Sequence, residues 1–540
     1  MAHDPFTIAV VQAGLASASD EMFTLLRKTA MSPIIYEVLD VGTGITDGEG
    51  NLVGSGAGIP TFIGVLDKAV RRIREIYGSK GIREGDLFVT NDPYFGGVTH
   101  LSDIVIAQPV FFGGDCIAWT ASIAHWSDVG GITPGSMSTR ATEIFQEGLR
   151  LPAVHLFESG QKVESVFEII AANSRMPEFS MGDLWAQIAA CRLAGQRVSR
   201  LASNYGLDAY NRAVQGLFDE GERRSLSGLA RLPSGTYEIS QEQDDGERWN
   251  AKITTSSDKF IVDIRDNPRQ KAKPYNTSRD GSVIAAQMLF KALAAPDLFA
   301  NEGSFRPLVV LTEPGTIFDA TGTTPHGYYF ETRIRLYDML WNCMATAFPE
   351  ALPAGHFGSV CGTVISGMHP DTGRRFTLVE PQMGGWGATS KRDGLNCMYT
   401  SNHGDTFNCP IEICEARYGI DVGWKRMNSD DAGDGLHRGG KGLSISYRPR
   451  SQATLAAGFS RSQVRVWGSN GGDEGGTNQL RVVRKDGTLE KHAFVSELVL
   501  EPGDELVIET ANGGGWGRKL ANSSSKIISK GEDIKATDSN

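Results

Sequence analysis

The chain has 540 residues, which is too long for one ordinary hydrophobic core and predicts two to four domains. Its 40% hydrophobic and 22% charged content is typical of a soluble globular protein. The formal net charge of −11 argues against a nucleic-acid partner, because neutralising phosphates requires a basic surface. No apolar run approaches the roughly 20 residues needed to cross a bilayer, so no membrane partner is expected.

The first quarter of the chain predicts two helices followed by three strands. Apolar residues recur at helical spacing over about 5–30 and again over 65–76. The segment 1–23 lacks a basic n-region and indicates an amphipathic helix rather than a signal peptide. Runs of β-branched and apolar residues predict strands at 87–90, 104–110 and 116–124, and the Gly113-Gly114-Asp115 turn predicts that the last two form an antiparallel hairpin.

In the rest of the chain the predicted secondary structure changes twice, from helical to mixed and then to mostly β. Residues 164–220 have a helical pattern, alternating strand segments begin after 225–232, and helices are predicted near 281–295 and 331–348 on either side of a strand at 307–311. From 443 onward the pattern is mostly β. We therefore predict a multidomain α+β protein with mixed helices and largely antiparallel sheets. The predicted units are an N-terminal α+β domain (1–225), a middle α+β domain (226–350), a β-rich C-terminal domain (351–518) and a polar, disordered tail (519–540).

A doubled His-x-Ser-Asp pattern is the chemical centre of the sequence. His100-Leu101-Ser102-Asp103 and His125-Trp126-Ser127-Asp128 lie 25 residues apart. Unprotonated imidazoles and carboxylates are ligands for divalent metals. The first motif precedes one strand of the predicted hairpin and the second follows the other, so antiparallel pairing brings both into one pocket. The sequence predicts a metal site there, with a structural polar cluster as the alternative. The first domain is expected to carry it.

The cysteines and the glycine-rich loops are weaker indicators of a functional site than the doubled His-x-Ser-Asp pattern. The seven cysteines are dispersed without a Cys-x-x-Cys pair, which fits core packing in a reduced cytoplasm; the same is favoured for Cys409 and Cys414. The run from Gly435 to Lys441 begins a phosphate-binding pattern, but Gly442 stands where Ser or Thr is needed and no apolar strand leads in. The glycines at 513–517 lack a following helix, and no Gly-x-Ser-x-Gly nucleophile elbow has the needed surroundings. The chain is expected to have no nucleotide site of its own.

Joint motifs across nearly the whole chain resemble the hydantoinase B/oxoprolinase family. They lie at Asn91–Asp103, Ala124–Gly131, Glu147–Pro152, Asn173–Arg175, Gly182–Leu184, Glu380–Gly387, Gly435–Gly440 and Gly513–Gly517. The resemblance implies a B (β) subunit of an ATP-dependent hydrolase of hydantoins, 5-oxoproline or caprolactam. It also implies that an actin-like ATPase A (α) subunit binds ATP and Mg²⁺, in an α2β2-type heteromer acting on a small cyclic amide. Related subunits occur in acetone and acetophenone carboxylases.

The resemblance also implies roles for individual residues. The family's metal ligands map onto His100, Asp103 and His125, with Asp40 as the fourth candidate; the alternative for Asp40 is a helix cap or turn residue. His125 and Asp128 are the catalytic candidates, Asp128 as a proton-transfer group or as a carboxylate that orients an imidazole. Asp92 precedes Pro93, and its expected role is to cap a turn. The resemblance implies that the metal is zinc or manganese; two imidazoles with two carboxylates suit either, so the sequence does not choose between them.

Cyclic amides need activation because amide resonance makes their carbonyl a poor electrophile. Phosphorylation of the amide oxygen by ATP would overcome this, and a metal would then polarise the carbonyl or activate water. The alternative functions are a ketone carboxylase subunit and, third, a non-catalytic scaffold with a structural metal. The glycine-rich segments 384–387, 435–442 and 513–517 are predicted either to face the partner or a shared cavity, because glycine permits close approach, or to be plain turns.

Overall fold

A computed structural model describes residues 5–78, 81–94, 98–297, 299–401, 403–404 and 406–519. The tail predicted to be disordered lies outside these residues except for Lys519. None of the helices in the described ranges combines the length and apolar character that a membrane crossing needs. The helices are α1 (Pro5–Thr29), α2 (Pro33–Tyr36), α3 (Pro60–Tyr77), α4 (Glu164–Asn173), α5 (Pro177–Tyr205), α6 (Leu207–Leu229), α7 (Arg279–Ala294), α8 (Glu302–Phe305), α9 (Tyr329–Ala347) and α10 (Ile411–Tyr418).

The N-terminal part contains a seven-stranded antiparallel sheet in the order β2-β1-β5-β4-β3-β6-β7. Its strands are β1 (Val41–Asp47), β2 (Leu52–Gly58), β3 (Leu87–Thr90), β4 (Asp103–Phe112), β5 (Asp115–His125), β6 (Val154–Glu158) and β7 (Gln161–Lys162). The predicted hairpin is confirmed as β4 and β5, joined at Gly113-Gly114, and its register pairs Asp103 with His125 at the open end.

This sheet is covered on both faces, which explains the almost continuous apolar runs of its central strands. On β5, Ala118 packs in one cluster with side chains of α1 and α5, whereas the next residue, Trp119, packs on the other side with α3. Successive side chains of a strand point to opposite faces, so both faces of β5 must be apolar. Asp103 and His125, at the open end of the β4–β5 hairpin, are buried as well.

Two further regions complete the described chain. The middle sheet has strands β8 (Gly235–Glu242), β9 (Arg248–Thr255), β10 (Phe260–Asp263) and β11 (Leu308–Leu311), with only β10 and β11 parallel among them. The C-terminal strands form two sheets, ordered β13-β12-β16-β19 and β14-β15-β20-β17-β18. They are β12 (Gly362–Met368), β13 (Arg375–Glu380), β14 (Ile420–Met427), β15 (Leu443–Pro449), β16 (Ala453–Gly458), β17 (Gln479–Val483), β18 (Leu489–His492), β19 (Phe494–Leu500) and β20 (Glu505–Glu509). The predicted fold class is confirmed, and the domain limits stay a prediction.

Two helical predictions needed adjustment. Helix α3 begins at Pro60, five residues before the predicted start, because proline is favoured in the first helical turn. The single helical region predicted at 164–220 is three helices. Pro177 begins the second, and Gly206, with φ of 83°, separates the second from the third.

Helix α9 is buried along almost its whole length, including its charged residues. The apolar periodicity that predicts this helix does not by itself indicate such burial. Asp338 of α9 accepts hydrogen bonds from Arg335 (3.1 Å) and Trp467 Nε1 (3.1 Å) and pairs with Arg461. Such pairing is what keeps buried charges tolerable. Two of these partners, Trp467 and Arg461, come from a distant part of the chain, so polar as well as apolar contacts hold α9 in the fold.

The three glycine-rich segments pack against one another, which the sequence did not predict; their place at a partner surface or shared cavity stays a prediction. Gly440 N donates to Trp386 O (2.8 Å), and Gly513 N donates to Gly440 O (2.8 Å). A Cβ added at Gly439 would lie 2.0 Å from the carbonyl oxygen of Gly513. The glycines therefore serve backbone-to-backbone contact inside the chain, where a side chain has no room.

The cysteines follow the prediction of core packing. All seven are free thiols, and Cys409 and Cys414 are both buried in the C-terminal hydrophobic cluster. Burial raises the pKa of the Cys409 thiol to about 12, which keeps it protonated at neutral pH. Both residues are explained as small apolar side chains of the core, and neither requires a metal.

Candidate metal centre

Three of the predicted ligands converge at the open end of the β4–β5 hairpin. His100 Nε2 lies 3.1 Å from Asp103 Oδ1, His125 Nδ1 lies 3.1 Å from the same oxygen, and the two nitrogens are 3.3 Å apart. All three side chains are buried. We call His100 Nε2, Asp103 Oδ1 and His125 Nδ1 the donor triangle. Its geometry follows from the strand register, which sets Asp103 opposite His125, and from the turn that brings His100 back over Asp103.

The donor triangle fits a divalent cation. Its edges of 3.1–3.3 Å are short enough for one cation with ligand distances of about 2.1 Å to contact all three atoms. Burial alone would raise the pKa of Asp103, but the neighbouring imidazoles His100 and His125 lower it below its ordinary value. The carboxylate is therefore held in the ionised form that a metal requires.

Outer hydrogen bonds orient two of these ligands. The second oxygen of Asp103, Oδ2, accepts from the hydroxyl of Tyr329 (3.3 Å) and from that of Thr99. His100 Nδ1 lies 3.0 Å from the carbonyl oxygen of Gly327, to which it donates, so Nε2 keeps its lone pair for the centre. Ligands with their far sides fixed in this way are characteristic of metal sites.

Glu147 in turn holds the Gly327 segment. Its carboxyl oxygens accept from Gly327 N (2.6 Å) and His326 N (2.9 Å). Burial raises the pKa of Glu147 to about 8, while the two amides oppose the rise. The sequence had included Glu147 in a family motif without a role; the contacts make it a support for the carbonyl that orients His100.

Asp40 lies beside the donor triangle but outside it. The group of ligand atoms that fall within 4.8 Å of one another comprises only His100, Asp103 and His125 among the described residues. The Asp40 carbonyl accepts from His125 N (3.1 Å), and Asp40 Oδ1 is buried with no hydrogen-bond partner in the described chain. Burial raises the pKa of this carboxyl to about 7, partly opposed by the charge of His125. Its role as fourth ligand stays a prediction.

Two other motif carboxylates hold loops. Asp128 Oδ1 accepts from Arg175 N (2.9 Å), and Oδ2 accepts from Gly135 N (3.0 Å) and Arg175 Nη1 (3.0 Å). No hydrogen bond to either imidazole is among its described contacts, so the orienting and catalytic roles of Asp128 stay predictions. Asp92 Oδ1 accepts from Tyr94 N (2.7 Å), which is the turn geometry expected before Pro93.

Sequence reasoning missed the polar side chains of α9 and of His403 that lie near the donor triangle. Arg333 is 1% exposed, and its guanidinium carbon lies 4.8 Å from the centre of the Tyr329 ring. Within the described residues, Arg333 Nε and Nη1, His403 Nδ1 and His125 Nε2 have no hydrogen-bond partner. Burial, with a smaller contribution from Arg333, lowers the pKa of His403 to about 3. A cation among the apolar residues of the predicted helix at 331–348 was the available signal.

The loop that begins a phosphate-binding pattern uses its amides internally. Gly439 N donates to Gly433 O (2.9 Å), and Gly442 N donates to Asn512 Oδ1 (2.6 Å). The ammonium group of Lys441 contacts the carbonyl of Asp430. With these donors already engaged, the loop does not present the row of amides that cradles a phosphate.

Comparison with known proteins relates the whole chain to one family. The family model described as Hydantoinase B/oxoprolinase matches residues 4–519. The chain is 28% identical over 544 residues to the caprolactamase subunit beta of Pseudomonas jessenii, covering 96% of this chain and 91% of the relative.

Solved structures give the same result. The crystal structure of ATP-dependent caprolactamase from Pseudomonas jessenii superposes with a TM-score of 0.87 at 26% identity, covering 96% of this chain and 92% of that one. A nucleotide-free structure of acetone carboxylase also has a TM-score of 0.87, covering 96% of this chain and 76% of that one. Its 16% identity establishes a shared fold.

Proposed function

We propose that this chain, which belongs to the hydantoinase B/oxoprolinase family, is the metal-bearing subunit of an ATP-dependent cyclic-amide hydrolase. The observation that carries the proposal is the donor triangle: two imidazole nitrogens and an ionised carboxylate oxygen, buried, 3.1–3.3 Å apart and held from outside. The likeness to caprolactamase along 96% of the chain supports the substrate class. The resident metal is proposed to be zinc or manganese, both of which accept this donor set.

The residues around the triangle suggest how the reaction would be served. A bound divalent cation would supply a Lewis acid that polarises an ATP-activated carbonyl. His100 and Asp103 are anchored on their far sides and serve to position. His125 faces the centre with Nδ1, which leaves Nε2, buried and without a partner in the described residues, as a donor toward substrate. Asp40, whose pKa burial raises to about 7, is better placed than Asp128 to hold or release a proton near neutral pH.

ATP activation is proposed to occur on a separate ATPase subunit. The internal use of the amides around Lys441 supports this, and the relative is named as a subunit. The isolated chain should neither bind nor hydrolyse ATP appreciably. Calorimetry on the lone chain tests this division of labour, and tight Mg²⁺-dependent ATP binding would contradict it.

A ketone carboxylase subunit is the second candidate, favoured by the fold shared with acetone carboxylase. A metal beside an activated carbonyl would equally serve an enolate that attacks an activated carbonate, so the ligands do not separate the two reactions. Isotope-labelled bicarbonate appearing in a ketone-derived product, with no turnover of cyclic amides, would select this alternative.

The deciding experiment uses the chain reconstituted with its ATPase partner. Hydantoins, 5-oxoproline and lactams are offered with and without ATP, and ring opening is followed by mass spectrometry. His100→Ala should abolish both bound metal and ATP-dependent opening. His492→Ala removes a histidine that contacts Glu490 (3.2 Å) far along the chain and should leave both intact. Full activity of the His100 variant with an empty site would refute the proposal.

A further inference from the structure

A buried cation that forms no ion pair within the described residues lies near the donor triangle. Arg333 is 1% exposed, and neither Nε nor Nη1 has a hydrogen-bond partner among the described residues. No carboxylate of the described chain forms an ion pair with it, in contrast to Arg335 and Arg461 of the neighbouring network, which share Asp338. An arginine side chain keeps its proton in proteins, so it cannot relieve this situation by becoming neutral.

The position of Arg333 ties it to the metal centre. Its guanidinium stacks on the ring of Tyr329, with the central carbon 4.8 Å from the ring centre. The hydroxyl of that ring donates to Asp103 Oδ2 at 3.3 Å. Arg333 is therefore one aromatic side chain away from a donor-triangle residue. Its charge also acts on Asp40 and on His403.

Further polar atoms without hydrogen-bond partners lie on neighbouring residues. Asp40 Oδ1, His125 Nε2, His403 Nδ1 and the Tyr399 hydroxyl are all buried without partners within the described residues. Buried polar groups in native proteins are almost always paired, so a group of unpaired ones indicates a ligand that completes them. Arg333 Nε and Nη1 are donors that carry a positive charge, and this combination favours an anion as the missing ligand. The planar fork of arginine matches the paired oxygens of a phosphoryl or carboxylate group.

We infer that Arg333 is the oxyanion-binding residue of this centre and holds the phosphoryl group of the ATP-activated substrate beside the metal. This inference rests on the proposed function, which supplies a phosphorylated intermediate. Arg333 would bind that group through two N–H donors while the carbonyl carbon faces the donor triangle. Water would add to the activated carbon, the ring C–N bond would break as the nitrogen takes a proton and leaves as an amine, and a second water would release inorganic phosphate from the resulting acyl phosphate. The fixed cation would stabilise the negative charge on the phosphoryl oxygens in both steps.

The test uses the full-length chain loaded with Mn²⁺ and inorganic phosphate as the probe. Paramagnetic broadening of the phosphorus resonance reports an anion next to the metal, and titration gives its affinity. Arg333→Gln should weaken phosphate binding at least tenfold with unchanged metal content, and Arg333→Lys should lie between the two. The matched control is Arg265→Gln, which removes a cation of the same kind from an exposed pair with Asp263. It should bind phosphate like the wild type.

Thermal unfolding adds a measurement that separates a binding role from a structural one. If Arg333 is paired only when an anion is bound, Arg333→Gln should be at least as stable as the wild type in the absence of phosphate. Added phosphate should then stabilise the wild type but not the variant. A strongly destabilised variant, or phosphate binding that is independent of residue 333, would overturn the inference. So would acetate bound more tightly than phosphate, which would point to a substrate carboxylate instead. Arg333-dependent phosphate binding in a complex that opens no cyclic amide would keep Arg333 as an anion-binding residue and would remove the proposed function.

Discussion

The hydroxyl groups that hold Asp103 give the sharpest quantitative prediction. Oδ1 of this residue belongs to the donor triangle, while Oδ2 accepts from Thr99 and, at 3.3 Å, from Tyr329. Thr99→Val and Tyr329→Phe each delete one donor and keep the shape of the side chain. Both variants should bind the metal more weakly, because the carboxylate is left less fixed and partly unsatisfied.

The magnitudes follow from the two contacts. A hydrogen bond to a charged group contributes about 1.5–3 kcal/mol, and the close Thr99 contact is assigned to this range. The longer Tyr329 contact is assigned about 0.5–1.5 kcal/mol. Thr99→Val should therefore weaken metal binding by about 10- to 100-fold, the usual range for groups that support a ligand. Tyr329→Phe should weaken it by roughly 2- to 10-fold.

The assay is competition for Zn²⁺ against a chromophoric chelator at fixed pH. Tyr237→Phe is the matched control, because its hydroxyl also makes a 3.3 Å hydrogen bond, to Pro233 O, away from the centre. That variant should bind metal like the wild type. Unchanged affinity in Thr99→Val, Tyr329→Phe and the double variant would refute the reasoning that Asp103 is a ligand held by these hydroxyls.

Three other predictions address the surroundings of the site and the stability of the fold. Glu147→Gln should weaken metal binding up to about tenfold, measured by the same competition, because Gly327 loses part of its anchor. Burial raises the pKa of Glu380 from 4.5 to about 8, so ionisation of this carboxyl opposes folding. As the pH rises from 4.5 to about 8, the free energy of unfolding should therefore fall by up to about 1.4 kcal/mol per pH unit. Denaturant titrations of Glu380→Gln should show a flatter pH profile, and an identical profile would exclude this assignment. Gly439→Ala should lower the free energy of unfolding by about 1–3 kcal/mol or prevent folding, since its Cβ would meet a carbonyl oxygen at 2.0 Å, whereas Gly78→Ala meets nothing within 4 Å and should be tolerated.

The hairpin and the convergence of its candidate ligands could be predicted because all the necessary signals are local. Two apolar runs joined by Gly113-Gly114 fix an antiparallel register, and that register alone sets Asp103 opposite His125. The helices followed from apolar periodicity in the same way, except where Pro177 and Gly206 interrupted a continuous pattern.

The remaining parts of the site come from far along the chain. Tyr329 reaches Asp103 across 226 residues, and Arg333 arrives on the same helix. Charged residues in a helix usually mark its solvent-exposed face, so periodicity alone does not reveal a buried cation. The glycine-rich segments showed that something must approach their backbone closely, but composition does not say that they approach one another.

The central claim is that the donor triangle binds a catalytic metal, and metal stoichiometry tests it most directly. The purified chain is stripped with a chelator, reloaded with Zn²⁺ or Mn²⁺, dialysed and analysed by mass spectrometry. We expect about one tightly bound ion in the wild type and none in His100→Ala or Asp103→Asn, the replaced groups being two corners of the triangle. Equal metal content in the wild type and both variants, at matched folding, would contradict the account.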